Sequence, residues 1–403
     1  MRTAFVSSLL LASAASAAEL PALAMKAQTI DPAIQIGYGL AIADVDGDKK
    51  DDIVLCDAKQ IVWYKNPTWQ KFVIAENLTA KDHVSVAARD VDGDGKAEIA
   101  VGAEWNPGDT VNSGAVFLLE APADRTQKWT PKQLKPYEPT THRMGWVRGP
   151  DRGFYLAVQP LHGRGNKANA GVGVEFLGYE YPWTAASKPV PLAASLPPLH
   201  ATHNFDVGAA VRPDAGEYLL LATKEGVRAI DTVAVRATPQ VITTIAAGEV
   251  RAGSLPSGGR FIATVEPMHG NELAVYRAPA TPASSTSDWT ASRVSLDDKL
   301  VQGHALATAD LLGVGSDQVI VGWRGGNTPG AKVGIKVYAA SDATGSAWKM
   351  HALVDDNTMA CEDLKVADLN GDGKPEIIAA GRATKNVIIY WNETQGTRSG
   401  AKK

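Results

Sequence analysis

Three short segments carry carboxylates at a spacing that suits a hard cation. They are Asp44, Asp46, Asp48 and Asp52 in 44–52, Asp90, Asp92, Asp94 and Glu98 in 90–98, and Asp368, Asp372 and Glu376 with the amide of Asn370 in 368–376. Counting from the first aspartate, the oxygen donors fall at positions 1, 3, 5 and 9, and position 7 can add its main-chain carbonyl. Alternate residues of a tight loop point inward, and Ca²⁺ takes about six to eight oxygens, so this spacing predicts structural Ca²⁺. The competing reading is a turn held by its own side-chain to backbone bonds; against it, carboxylates crowded into one loop repel without a cation. A worn copy at 310–318 has lost most of its carboxylates and is expected to bind nothing.

Imidazole is the second chemistry-bearing group, with eight histidines in the chain. To see what they could do together, the elements that carry them must be placed. Segments 40–55, 86–101, 306–321 and 364–379 are self-similar, each reading as strand, glycine-rich turn, strand. A third strand follows, as at 60–64 and 386–391, and a fourth, as at 71–75. Asp44, Asp90, Arg148, Val211, Pro256, Asp310 and Asp368 mark the ends of seven first strands, in units of about 50 residues. The fold this predicts is all-β: a seven-bladed β-propeller of four-stranded antiparallel blades. The last unit runs out after its third strand, near Trp391, so the extended segment 29–36 is expected to supply its outer strand and close the ring.

Strand parity then sorts the side chains. With strands A to D numbered from the tunnel outward, the A–B turns share one face of the disc, and all the acidic loops are A–B turns. The D-to-A and B–C connections lie on the other face. His83, His142, His203 and His304 come just before an A strand, and His162 and His269 follow a B strand, so six imidazoles are expected to converge there. Tyr38, Arg143, Arg251 and Glu362 fall in the same D-to-A connections. Lys59, Trp105, Arg164, Lys224, Arg324 and Arg382 fall in the B–C connections. Guanidiniums pair bidentately with carboxylates, Trp105 and Tyr38 can stack on a sugar, and imidazoles exchange protons near neutral pH. No HxH or HxxxH pair on one element presets a histidine metal site, so proton transfer is the expected use of these imidazoles and a second metal held by them the less favoured one.

The segments DVDGDGKAEIAVG and DLNGDGKPEIIAAG resemble FG-GAP (VCBS-type) repeats, which implies a seven-bladed propeller with calcium in its blade loops. A narrower resemblance rests on EPTTHRMGWV (138–147), PLHGRG (160–165), HATHNFDV (200–207), EPMHGNELAVY (266–276), GHALATADL (303–311) and ACEDLKVADLNGDG (360–373). These segments are similar to the aldos-2-ulose dehydratase propeller and the rhamnose-glucuronate polysaccharide lyases. That resemblance implies a carbon–oxygen lyase acting by β-elimination on a uronic-acid-containing glycan or a keto-sugar. Elimination needs a base, stabilisation of the enolate-like charge and an acid for the leaving oxygen. The residues expected to move protons are His83, His142, His203 and Tyr38. Arg143, His162, Arg164, His269, His304, Trp105, Arg324, Glu362 and Arg382 are expected to bind the substrate. The alternative is a non-catalytic, calcium-stabilised propeller that binds glycan or protein. Hydrolysis by paired carboxylates is disfavoured, because Glu362 has no partner on that face.

Composition narrows the partners. Forty basic residues against 44 acidic, net −4, lack the basic excess of a nucleic-acid binder. Two cysteines, Cys56 and Cys361, exclude a disulfide framework. Residues 1–18 have the positive start, apolar run and small-residue end of a signal peptide, so a periplasmic or secreted monomer with no membrane span is expected. The propeller would then occupy 19–395, with 396–403 a disordered tail.

Overall fold

The structure is a computed structural model that describes residues 19–149, 153–184, 186–192, 197–209, 217–231, 239–279, 287–326 and 328–395. The expected signal peptide and tail, and the blade marker Val211, lie outside the described residues. Seven four-stranded antiparallel sheets follow one another around a ring. The innermost strands are Gly39–Ala43, Ser85–Arg89, Thr141–Arg148, Thr202–Ala209, Glu249–Ser254, Gly303–Ala309 and Cys361–Ala367 in blades one to seven. Each touches the innermost strand of the next blade, and the seventh touches the first.

The sequence makes this ring because both faces of each blade are apolar. Strands such as Asp52–Cys56 and Gln318–Trp323 are buried at every residue, so a blade can bury itself only between two others. Among the described residues each gap between blades holds one large hydrophobic cluster, seven in all, and a smaller one of Tyr38, Ala58 and Val84 lies beside the first gap. Trp63, stacked 5.0 Å from Phe72, fills the gap between blades one and two. In the described residues the single helix is one turn, Ser287–Thr290, which seats buried Trp289 against blades four and five. No helix among the described residues is long and apolar enough to cross a membrane. Both cysteines are free and buried.

The ring closes as expected, with blade seven completed by an N-terminal strand, but that strand is Met25–Asp31 rather than 29–36. It pairs antiparallel with Asn386–Asn392, from Met25 opposite Asn392 to Asp31 opposite Val387. The earlier stop has a physical cause. The Asp31 carboxylate ends the strand by accepting from Ala33 N–H (2.9 Å), Tyr64 Oη (2.7 Å) and Lys71 Nζ (2.8 Å). Asp57 of blade one then takes the chain over: its carboxylate accepts the N–H groups of Gln35, Ile36 and Gly37 at 2.7, 2.7 and 3.0 Å. Asp57 is thus the bolt between the closing strand and the first blade. Asp57→Ala, which orphans these donors, is expected to destabilise the protein by about 3 kcal/mol, read as a lowered urea midpoint; an unchanged midpoint would remove Asp57 from this role.

Candidate functional site

On the acidic face, the three loops share one hydrogen-bond ladder. The position-1 aspartate accepts from the N–H groups of positions 4 and 6, as Asp90 does from Gly93 (2.7 Å) and Gly95 (3.0 Å). Position 3 accepts from position 5, and position 5 from position 7, in all three loops. Oxygens of Asp44, Asp46 and Asp48 lie within 4.8 Å of one another, as do those of Asp90, Asp92 and Asp94, so a cation can be shared within each loop. Position 9 does something else. Asp52, Glu98 and Glu376 turn back to accept the N–H of Val45, Val91 and Leu369, which ties each loop shut from behind. Asp52 also accepts from Asn66, so each of its oxygens already holds one N–H. In the first loop the ammonium of Lys65 sits between Asp46 and Asp48. The worn loop keeps the architecture, with Asp310 accepting from Val314 and Gly315 and Gln318 standing at position 9, but Leu312 and Val314 replace its inner carboxylates.

Lys49 occupies position 6 at φ +66°, where the other loops place Gly95 and Gly373 at +84° and +82°. A side chain in that left-handed region costs energy that glycine does not. Lys49→Gly is therefore expected to stabilise by up to about 1 kcal/mol, seen as a raised melting temperature. The buried position-9 groups carry a pH signal too. Burial, added to by the neighbouring loop carboxylates, raises Asp52 and Glu98 to about 7. Unfolded, they titrate near about 4. Folding therefore favours their protonated forms, and the resulting stability is present at acid pH and lost as pH rises through about 7. Chelator-treated protein is expected to melt lower at pH 8 than at pH 5.5; a flat or rising profile counts against this.

The opposite face holds the imidazoles, and a repeated backbone irregularity places them. Inner strands of blades three, four, six and seven each carry a one-residue bulge near their start, between residues 141 and 143, 202 and 204, 303 and 305, and 361 and 363. The extra residues are His142, His203, His304 and Glu362. A bulge re-aims its side chain, and here it directs three imidazoles to the tunnel mouth. Each donates Nδ1–H to a main-chain carbonyl of the next blade: His142 to His203 O (2.7 Å), His203 to Gly248 O (2.9 Å) and His304 to Glu362 O (2.6 Å). That bond fixes the tautomer and leaves Nε2 with its lone pair facing inward. His269, on a tight turn of blade five at φ +49°, brings its Nε2 to 2.5 Å from Nε2 of His203. Ligand nitrogens of His203, His269 and His304 lie within 4.8 Å of one another.

These groups are held neutral. Burial, then the positive charge of Arg143, lowers His203 to about 3; burial likewise drives His142, His269 and His304 well down. The Nδ1–H bonds leave Nε2 of His203 and of His304 as lone pairs, and His269 pairs its Nε2 with that of His203, so the three side chains could hold a metal ion. No single element presets a histidine metal site; three blades bring these three residues together. The residues fit a divalent transition metal with borderline-soft preferences.

Other expected site residues fall into place around this centre. Arg143 donates to the Nε2 of His142 (3.3 Å) and to its carbonyl, and Trp105 stacks on the His142 ring at 4.8 Å. Tyr38 donates to Asp82 (3.2 Å), lies under the Arg382 guanidinium, and is held well above its usual range by burial and Asp82. Glu362 is gripped by Arg324 (2.6 Å) and Arg382 (2.9 Å). Two residues are not part of the convergence. His83 is fully buried, its Nε2 accepting from Leu78 N–H at 3.2 Å, so it has no route for proton transfer. Arg164 is half-exposed and staples two loops through the carbonyls of Val111 and Tyr137. His162 and His200 sit on the rim, His162 Nδ1 on His200 O (3.0 Å) and His200 Nδ1 on Glu225 (2.7 Å).

Sequence reasoning missed Glu249, which is buried at the head of blade five's inner strand. It accepts from Asn204 (2.5 Å) and lies 3.2 Å from His203 Nδ1. Its position before an A strand, like those of the histidines, was the available signal. Below the centre, a tunnel cavity of about 260 Å³ is lined by Arg143, Arg251, Asp206, Asp363 and Lys365 among apolar residues. A larger cavity, about 560 Å³, lies away from it beside the first and third acidic loops and is floored by Trp69 and Trp391.

The fold and the loops define the class of this chain, a seven-bladed propeller carrying FG-GAP repeats: residues 44–101 match the FG-GAP-like repeat and 84–119 the FG-GAP repeat. No curated protein sequence matches it. Similar solved structures include a chain of BBS1N in complex with ARL6DN (14% identity, 95% of this chain and 99% of that one, TM-score 0.55) and a chain of the mitotic checkpoint complex (11%, 98% and 100%, 0.56). A chain of Kuenenia stuttgartiensis hydrazine synthase is similar at 13% identity, over 96% and 99% of the two chains, with TM-score 0.52. At such identities the likeness is one of fold.

Proposed function

We propose that this protein is a carbon–oxygen lyase that acts by β-elimination on a sugar bearing a carboxylate or ketone, at a metal-assisted centre in the tunnel mouth. The observation that carries this reading is the convergence of imidazole nitrogens of His203, His269 and His304, within 4.8 Å of one another, beside guanidiniums. A divalent cation held there would act as a Lewis acid on the substrate's carbonyl or carboxyl oxygen. The chain's own residues supply the rest. Arg324 and Arg382 bind and orient the anionic group. The proton goes to a base outside the buried ring, because imidazoles held neutral so far below their usual range are weak acceptors. His162 and His200, half-buried on the rim with Nδ1 anchored, keep an Nε2 to receive it. Tyr38 stays protonated and can donate to the leaving oxygen.

Under the same proposal, Ca²⁺ occupies the acidic loops of the opposite face as a structural ion, the substrate is an acidic oligosaccharide or polysaccharide, and the mature chain is exported as a monomer. The alternative is a calcium-stabilised propeller that binds glycan or protein without turnover.

Incubating the protein with glucuronate-bearing polysaccharides and keto-sugars, and following the absorbance of new unsaturated product, tests the reading. Turnover is expected to fall at least about 100-fold in His269→Ala, the size of loss expected when a site loses a metal ligand or its support. Wild-type turnover in that variant overturns the metal-assisted centre. Binding without turnover on every uronate and keto-sugar leaves the non-catalytic reading standing.

A further inference from the structure

Glu362 joins two parts of the mouth through one residue. Its main-chain carbonyl receives the Nδ1–H of His304 at 2.6 Å. Its carboxylate, 3% exposed, receives Arg324 Nη1 at 2.6 Å and Arg382 Nη1 at 2.9 Å. One carboxylate against two guanidiniums leaves a surplus positive charge. Neither guanidinium is exhausted, since each carries five N–H donors. Arg324 spends one more on Gln302 (3.1 Å), and Arg382, 42% exposed, lies over the Tyr38 ring.

That surplus charge bears on the neighbouring imidazoles. Arg324 is bonded to the carboxylate of the same residue whose carbonyl holds His304, so its positive charge lies close to the imidazoles and also opposes any cation placed between them. An anion resting on the two arginines would relieve that opposition, and a cation among the histidines would in turn favour the anion. Thermodynamic linkage makes the two effects equal.

Building on the metal-assisted reading above, we infer that Arg324 and Arg382 form an oxyanion subsite for a carboxylate, and that Glu362 is the positioning residue coupling its occupancy to cation binding at His203, His269 and His304. The main-chain bond to His304 survives any substitution at 362, whereas the placement of the arginines does not. The two contributions can therefore be separated.

The test uses the full chain, stripped with chelator and kept in calcium so that the acidic loops are filled. Co²⁺ is titrated by visible absorption with glucuronate, with glucose or with neither present, and only the absorption lost in His269→Ala is counted. Glucuronate is expected to tighten Co²⁺ binding about fivefold or more, and glucose to leave it unchanged. Glu362→Gln removes the carboxylate that offsets both guanidiniums, so it should bind Co²⁺ alone more weakly than the wild type and, with the arginines no longer held in place, lose the tightening. Arg382→Met should lose it too, which keeps the test open if Glu362→Gln does not fold. Equal effects of glucuronate and glucose, or full tightening in both variants, overturn the coupling while the metal centre stands. Absence of Co²⁺ binding sensitive to His269 overturns both.

Discussion

Blade packs on blade because neither face of a blade can meet water, and everything else in this protein follows from that. A sheet with two apolar faces has no stable end, so the stack must curve until it meets itself. The seven clusters in the gaps between blades are the result, and they explain why the tunnel is lined partly by charge: the core is in the gaps, not on the axis. Closure brings seven strand beginnings to one small circle. Groups distant in the chain, such as His203 and His304, become neighbours with ring centroids 5.1 Å apart.

The circle alone does not aim a side chain. In a regular strand the residue at the mouth would alternate between the two gaps, facing apolar neighbours. The bulges at His142, His203, His304 and Glu362 break that alternation once in each of blades three, four, six and seven, and each imidazole's bond to the next blade then fixes the outcome. Burial makes the arrangement chemically specific: stripped of water, the imidazoles are worse bases but remain competent lone-pair donors. The same chain therefore separates two donor chemistries, hard oxygens in turns on one face and nitrogens at strand starts on the other.

Repetition made much of this legible in the sequence. The Asp44, Asp90 and Asp368 loops repeat with one spacing, so they announced the blades, the blades set the parity, and the parity put the histidines on the far face. What failed was whatever depends on a single residue's local bonding. His83 looked like its counterparts by position, yet its ring is spent on Leu78. Asp52 was read by its spacing as a ligand, and nothing in that spacing showed that its oxygens also close the loop. Arg164 had the right loop but the wrong neighbours. A metal site built from three blades leaves no short motif, and a bulge of one residue leaves no trace in an apolar–polar pattern. Glu249 escaped for the same reason: burial beside His203, rather than its type, is what makes it notable.

The closing strand, Met25–Asp31, precedes every other strand of the ring in sequence, and its partner Asn386–Asn392 follows them all. The ring therefore cannot be finished until its last blade has been made, and the contacts that finish it span the whole propeller. Because His142, His203 and His304 each take their orientation from a neighbouring blade, an unfinished ring loses more than rigidity: its imidazoles have no fixed direction. A chain cut short near its end would leave the acidic loops of blades one and two intact while the far mouth lacked its shape. Completeness of the propeller is thus read out at the one place where chemistry is proposed, a form of proofreading that needs no second molecule.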